Sequence, residues 1–252
     1  MADGKRRPLV GAVFPDDAWV EDDAAALVDD FRSYMPAGVD LVAASTPAPN
    51  RTNTVEFGVW LAENGDIEES ARRLTVRRAP DVIGYFCTTV SFVRGPGGDV
   101  DISRRVTETT GRPATTTSTA MIAALRAIGI QRVALASPYL PDVEQKLIAF
   151  LAAHNIETVN SVALNLPLDH SIVAPADILQ AARAADCPEA EAVFISCTGQ
   201  RLNAYLDGIE RALGKPVLAA NQVTAWHALS LGGWADRWKG PGSSLREGAI
   251  RI

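Results

Sequence analysis

The sequence predicts an α/β protein made of two similar lobes, each a parallel sheet flanked by helices. Two observations lead to this prediction. Short β-branched runs alternate with helical segments of ten or more residues along the whole chain, which is typical of parallel sheets covered on both faces. In addition, the two halves of the chain resemble each other at three places that occur in the same order.

In the first half, four short segments are the predicted strands, at residues 9–14, 39–44, 82–86 and 114–117. The predicted helices fall between and after them, around 20–34, through 72, near 102–110 and through 127. The segment from Pro47 to about Gly65 has no clear periodicity, so we expect it to be irregular.

The second half repeats this order. Its predicted strands are 132–136, 156–163, 192–196 and 217–220, and its predicted helices are 143–153, 176–185, 202–213 and 223–231. We expect residues 1–118 to form an N-terminal lobe and residues 119–222 a C-terminal lobe. Residues 223–252 would form a last helix and a tail that pack back on the N-terminal lobe.

Three pairs of segments carry the internal resemblance. RPLVGAVFPDD at 7–17 corresponds to QRVALASPYLPD at 131–142, and GRPATTTSTA at 111–120 corresponds to GKPVLAANQV at 214–223. DVIGYFCTT at 81–89 corresponds to EAVFISCTG at 191–199, which pairs Cys87 with Cys197. Each segment is a strand end followed by a turn, where open α/β sheets bind ligands. We therefore expect pseudo-symmetric, Rossmann-like lobes with the active site in the cleft between them, although α/β chains in general look somewhat repetitive.

Composition excludes several classes of function. A net charge of −6 without a basic run argues against nucleic acid and anionic membrane surfaces as partners. The apolar runs are too short to span a membrane, and three cysteines without a secretory signal indicate reduced thiols in the cytoplasm. The three histidines lack metal-ligand spacing, and no phosphate-binding glycine motif is present, so we expect neither a metal nor another cofactor.

Cys87 and Cys197 are the candidate catalytic residues. Each follows a buried strand, and we expect both to have the same setting, at the start of a helix whose backbone amides stabilise a thiolate. The alternative is that both are small buried hydrophobic residues. Two thiols on opposite faces of a planar carbanion could act as base and acid. Alternatively, one thiolate could add to an activated double bond, after which rotation and elimination would follow.

Five further residues are candidate donors to a substrate carboxylate or oxyanion, namely Thr88, Thr89, Tyr139, Thr198 and Gly199. Threonines at such junctions also cap helices, and a tyrosine there also packs as a ring with a hydrogen-bonded hydroxyl. Thr117, Ser118 and their counterpart Asn221 mark a third pair of strand ends, where we expect helix capping. Cys187 has no counterpart in the repeat.

These motifs resemble the aspartate/glutamate racemase superfamily, in the branch that holds maleate cis–trans isomerases and arylmalonate decarboxylases. TTVSFVRG at 88–95 and the segment 107–143 are similar to arylmalonate decarboxylases, and ISCTGQR at 195–201 is closer to maleate isomerases. The resemblance covers about residues 10–231. It implies a two-lobed fold, no cofactor, a buried cleft for one small carboxylate, a homo-oligomer, catalytic Cys87 and Cys197, and the five donors as substrate contacts.

Two departures from the family pattern bear on the reaction. The resemblance implies glycine at the first cysteine position of arylmalonate decarboxylases, so Cys87 favours racemisation or isomerisation here. It also implies an asparagine in the first loop of maleate isomerases, where this chain has Asp16, Asp17 and Ala18. An acid there would repel a second carboxylate, so a substrate with a cationic or amide group beside its carboxylate would fit better.

Three hypotheses follow from the sequence. The first is a cofactor-independent isomerase or racemase that uses both thiols on a small carboxylate. The second is a cofactor-free decarboxylase, and the third is a small-molecule binding protein that closes on a carboxylate without converting it.

Overall fold

Eight strands form two parallel sheets in the computed structural model, which describes residues 6–16, 21–49, 52–167, 173–242 and 245. The first sheet has the order β2-β1-β3-β4 and consists of β1 (Leu9–Asp16), β2 (Asp40–Pro47), β3 (Val82–Tyr85) and β4 (Ala114–Thr116). The second has the order β6-β5-β7-β8 and consists of β5 (Arg132–Ser137), β6 (Glu157–Ala163), β7 (Ala192–Ile195) and β8 (Val217–Ala219). The matching orders confirm the predicted pair of similar α/β lobes.

Helices flank both sheets. Those of the first half are α1 (Glu21–Ser33), α2 (Val55–Asn64), α3 (Ile67–Arg78), α4 (Thr88–Phe92), α5 (Gly98–Thr110) and α6 (Thr117–Ala127). Those of the second half are α7 (Pro141–Ala153), α8 (Pro175–Ala185), α9 (Asn203–Leu213) and α10 (Ala220–Leu231). No helix in the described part of the chain is long and apolar enough to cross a membrane.

The central strands β3 and β7 are buried at every residue, because each has a neighbouring strand on both sides and helices over both faces. In each sheet, the residue that directly follows the central strand still makes a backbone hydrogen bond to the neighbouring strand. The amide of Phe86 donates to the carbonyl of Val13 at 2.7 Å, and the amide of Ser196 donates to the carbonyl of Ala136 at 2.8 Å. The residue that precedes each candidate cysteine is therefore fixed by its sheet.

The prediction of an irregular stretch from Pro47 to about Gly65 is wrong, because α2 occupies its second half. Thr54 is the N-cap of this helix, and its hydroxyl accepts a hydrogen bond from the amide of Phe57 at 3.2 Å. The helix buries Leu61 and Ala62 on one face, and that packing stabilises a segment with little periodicity of its own.

The two halves of the chain meet along α6 and α10, which pack against each other. The hydroxyl of Thr224 on α10 donates to that of Thr117 on α6 at 2.9 Å. Helix α10 also contacts β3 and β4 of the first sheet. The division into lobes at residues 118 and 222 stays a prediction.

Candidate active site

The two candidate cysteines occupy equivalent positions after the central strands. Residues 82–86 and 192–196 are buried without exception, and Cys87 and Cys197, which follow them directly, are partly exposed. Neither forms a disulfide bond. A cysteine at the carboxyl end of a buried parallel strand lies where such sheets bind ligands.

Cys87 is the N-cap residue of α4 and has an extended backbone with φ −157° and ψ 114°. The hydroxyl of Ser91, one turn further along this helix, donates to the carbonyl of Cys87 at 2.8 Å. The same hydroxyl lies 2.8 Å from the carbonyl of Thr88. Cys87 thus stands at a helix start, as the sequence predicts, where backbone amides favour a nearby negative charge.

Cys197 does not share this setting, so the expectation of a second cysteine at a helix start is wrong. The chain turns at Thr198 and Gly199, and α9 begins only at Asn203. The amide of Gln200 donates to the carbonyl of Cys197 at 3.3 Å and closes the turn. Cys197, the first residue of this turn, has a φ of +89°, a left-handed value that costs a residue with a side chain roughly 1–3 kcal/mol.

Tyr139 lies in the loop between β5 and α7 and is fully buried. The hydroxyl of Ser196, the residue before Cys197, donates to the Tyr139 hydroxyl at 3.1 Å. Burial raises the pKa of Tyr139 well above its usual range, and a negative charge on Cys197 acts in the same direction. The phenol therefore keeps its proton at neutral pH and remains a hydrogen-bond donor.

Thr88 and Thr89 also lie beside the Tyr139 hydroxyl. Their hydroxyls act to lower its pKa, against the larger effect of burial. Both threonines are buried, and the Thr88 hydroxyl makes no hydrogen bond of ordinary geometry with the described residues. Tyr139 of the second half thus lies next to two predicted donors from the first.

A second connection joins the two strand ends. The Thr198 hydroxyl donates to the carbonyl of Phe86, the residue before Cys87, at 3.4 Å. The rings of Phe92 and Tyr139 pack edge to face with their centroids 5.9 Å apart. Gly199 lies in the same turn as Thr198 and is partly exposed, and its role as an amide donor stays a prediction.

The expectation that Thr117, Ser118 and Asn221 cap helices is wrong. The N-cap of α6 is Thr116, whose hydroxyl accepts from the amide of Thr119 at 3.2 Å. The side chains of Ser118 and Asn221 instead hydrogen-bond the carbonyls of Thr88 and Thr198, the residues that directly follow the two cysteines.

Some expectations fall outside the described residues. Asp16 ends β1, whereas Asp17 and Ala18 are not among the residues that the structure describes. Within the described ranges, no group of three or more His, Cys, Asp or Glu side chains could hold a metal ion.

Sequence reasoning missed Ser196 and Asp30, whose side chains contact Tyr139 and Asn221. The internal repeat pairs Ser196 with Phe86 and gives no sign of a polar contact there. No sequence signal connects Asp30 with the second half of the chain.

Comparison with known proteins places this arrangement in context. A family model described as arylmalonate decarboxylase matches residues 60–245. An arylmalonate decarboxylase from Bordetella bronchiseptica is 32% identical over 174 residues, which cover 66% of this chain and 71% of that protein. A maleate isomerase from Nocardia farcinica is 33% identical over 159 residues, which cover 60% of this chain and 63% of that protein. Both relatives are enzymes.

One solved structure adds chemical information about a neighbour. A cysteine-to-serine mutant of the maleate cis-trans isomerase from Nocardia farcinica, with a covalently bound succinylcysteine intermediate, has a TM-score of 0.81 at 25% identity. The match covers 95% of this chain and 98% of that one. In that isomerase, a cysteine therefore bonds covalently to carbon.

Proposed function

This chain belongs to the arylmalonate decarboxylase family, and within that family we propose that it is a cofactor-independent isomerase or racemase acting on a small carboxylate through Cys87 and Cys197. The observation that carries the proposal is the position of Tyr139. Its hydroxyl lies beside Thr88 and Thr89, which follow Cys87, and accepts a hydrogen bond at 3.1 Å from Ser196, which precedes Cys197. This supports a single site to which both strand ends contribute.

Two thiols suit a reaction that needs chemistry on both faces of one carbon. In racemisation, one thiolate removes the proton beside the carboxylate, and the opposite thiol returns a proton to the other face. In cis–trans isomerisation, a thiolate adds to the double bond, the new single bond rotates, and the carbon–sulfur bond breaks again. The succinylcysteine in the related maleate isomerase is an adduct of the second kind.

Both routes build negative charge on the substrate carboxylate, and the site has donors for it. Tyr139 stays protonated because burial raises its pKa. The buried Thr88 hydroxyl, which makes no hydrogen bond of ordinary geometry within the described residues, still has a hydrogen to donate. Asp16 and Asp17 favour a substrate that carries a cationic or amide group beside its carboxylate.

A second candidate is decarboxylation, which the match to the arylmalonate decarboxylase family model over residues 60–245 favours. In that reaction, loss of carbon dioxide leaves the carbanion, and one thiol protonates it on a single face. Only one cysteine is then required, and the other is dispensable.

Incubation in deuterated water with a panel of small mono- and dicarboxylates separates these functions. The proposal expects solvent-derived deuterium beside the carboxylate, or cis–trans conversion, with loss of turnover in both Cys87→Ser and Cys197→Ser. Cys187→Ser is the matched control, because this third cysteine lies in the loop after α8, where its backbone carbonyl accepts a hydrogen bond from Nζ of Lys215. It should keep full activity.

Other outcomes would overturn the proposal. Carbon dioxide release that survives in one of the two serine variants would instead identify a decarboxylase. Thermal stabilisation by a carboxylate with no turnover would identify a binding protein.

A further inference from the structure

Two side chains, one from each half of the chain, meet next to the turn that begins at Cys197. Asn221, in the first turn of α10, is 1% exposed. Its Nδ2 lies 3.0 Å from the carbonyl of Thr198 and 3.2 Å from that of Gln200. The same nitrogen lies 2.8 Å from Oδ2 of Asp30 on α1. Asn221 therefore links α1 to both ends of the 198–200 segment.

The orientation of the Asn221 amide follows from its partners. All three are acceptors, two carbonyls and one carboxylate, so only the NH₂ end of the amide can face them. The NH₂ group of Asn221 has two hydrogens for these three acceptors. The shortest of the three contacts is with the charged acceptor, the carboxylate of Asp30. Asp30 thereby fixes the rotamer in which Asn221 reaches the turn.

The first lobe has a matching device without a charge. The internal repeat pairs Ser118 with Asn221 and Thr88 with Thr198. The Ser118 hydroxyl lies 3.3 Å from the carbonyl of Thr88, and the Asn221 amide makes the equivalent contact with the carbonyl of Thr198 at 3.0 Å. Its second partner, at 2.7 Å, is Ser91 of its own lobe. The segment after each cysteine is thus bonded by a side chain in the first turn of the helix that follows the next strand. At Cys197 this side chain also bonds Asp30, from the other half of the chain.

We propose that Asn221, held in place by Asp30, is the positioning residue that fixes the Cys197–Gln200 turn and with it the thiol of Cys197. The need for such a device follows from the backbone, since a cysteine at φ +89° stays there only when its surroundings impose it. The importance of this turn for catalysis rests on the proposed function, whereas the restraint itself does not.

The contact responds to protonation of Asp30. Burial is the largest effect on this carboxyl and raises its pKa to about 6, while the hydrogen bonds from Asn221 and from the Asn203 amide act to lower it. Among the described residues, the titratable or charged side chains that interact with it are Tyr34, directly after α1, and Arg201 of the segment before α9. Above about pH 6 the ionised carboxylate holds the Asn221 amide by a charge-assisted bond, and below it that bond weakens.

Hydrogen–deuterium exchange of backbone amides tests the proposal, with peptides that cover residues 195–201 and 85–91. Asn221→Ala should lower protection in 195–201 about tenfold and leave 85–91 unchanged. Ser118→Ala, the matched control, should have the reverse pattern. Equal loss of protection in both peptides, or no loss in 195–201, would overturn the proposal, because the first is general destabilisation and the second shows no restraint.

The dependence of this protection on pH is a second readout, because a contact without a titrating group would give protection that does not change with pH. After correction for the intrinsic rate of exchange, protection of 195–201 in the unmodified protein should fall as the pH drops through about 6. Asp30→Asn keeps an acceptor oxygen but no charge, so its protection should be low and independent of pH. A pH step that persists in Asp30→Asn would contradict the role of Asp30, and this variant serves even if Asn221→Ala does not fold.

This test separates the inference from the proposed function. Exchange and its pH profile require no substrate, so they stand even if no carboxylate is converted. If turnover is found, Asp30→Asn should lower kcat more than it raises KM, because it displaces Cys197 and leaves Tyr139 and Thr88 in place. Normal exchange effects without turnover would count against the proposed function only.

Discussion

At the scale of single residues, the two cysteines differ more than their matched sequences suggest. Cys87 has an extended backbone at the start of α4, whereas Cys197 has a φ of +89° in a turn. The internal repeat predicts both positions because each follows a buried central strand. It does not predict the difference, because the turn that begins at Cys197 is closed by the Gln200 amide and bonded at Thr198 by Asn221, contacts that form only in the folded protein.

Paired substitutions at both cysteines measure this difference. Glycine tolerates a positive φ and alanine does not, so we expect Cys197→Gly to be more stable than Cys197→Ala by about 1 kcal/mol. At Cys87, with φ −157°, the order should reverse, because glycine there only adds conformational entropy to the unfolded chain. Urea unfolding of the four variants gives the comparison. The same order at both positions would argue against strain at Cys197.

Tyr139 is the residue whose removal should most affect the charge that builds on the substrate. Under the proposed function, Tyr139→Phe removes a protonated donor and should lower kcat about 10²–10³-fold. The exposed Tyr205 offers a control, since Tyr205→Phe makes the same chemical change away from the site. Steady-state kinetics of both variants decide the matter. A normal kcat in Tyr139→Phe would reduce this tyrosine to a packing role.

At the scale of secondary-structure elements, α2 supports the site from outside. It packs on α4, the helix that carries Thr88 and Thr89. Gly58 allows the close approach, because a Cβ at that position would lie 3.2 Å from the methyl group of Thr89. The helix that the sequence failed to indicate is thus one that helps to position two predicted donors.

The N-cap of α2 gives a direct measure of its contribution. Thr54→Ala removes the acceptor for the Phe57 amide and should lower the free energy of unfolding by about 1 kcal/mol. Thr54→Ser keeps the hydroxyl oxygen and should stay within a few tenths of a kcal/mol of the unmodified protein. Chemical denaturation of both variants tests this. Equal losses would mean that the methyl group, and not the cap, stabilises the helix.

Strands were easier to predict than helices for a physical reason. The central strands are short runs in which every side chain is buried, so their apolar composition alone marks 82–86 and 192–196. Helix α2 has a glycine within it and a mixed pattern, and its stability comes from a cap and from packing on α4. Contacts such as Asp30 with Asn221 join residues 191 positions apart and leave no mark on either local sequence.

At the scale of the whole molecule, α10 fastens the two halves together. It packs on α6 and on the first sheet, where Nδ1 of His227 lies 2.8 Å from the Thr115 hydroxyl of β4. Burial lowers the pKa of His227 from 6.5 to about 4, so the folded protein takes up this proton only at a lower pH than the unfolded chain does. The neutral imidazole is part of the junction.

This histidine should make stability depend on pH in a defined direction. Its contribution is complete above about pH 6.5 and is lost as the pH falls towards 4. Over that range, the free energy of unfolding of His227→Gln should fall by roughly 1–3 kcal/mol less than that of the unmodified protein. The difference is set below the full value for a buried group because the side chain is partly exposed. The raised pKa of Asp30 changes stability in the opposite direction over this pH range. It does so equally in His227→Gln and in the unmodified protein, so it cancels from the comparison. Parallel losses from pH 6.5 to 4 would contradict a neutral His227 in the folded protein.

The central claim is that Cys87 and Cys197 act on one small substrate, and a short thiol cross-linker tests it most directly. Dibromobimane becomes fluorescent when it alkylates two neighbouring thiols. We predict fluorescence and a cross-linked peptide pair containing Cys87 and Cys197, absent in Cys87→Ser and in Cys197→Ser but retained in Cys187→Ser. Separate alkylation of the two cysteines in the unmodified protein, without a bridged product, would contradict the claim.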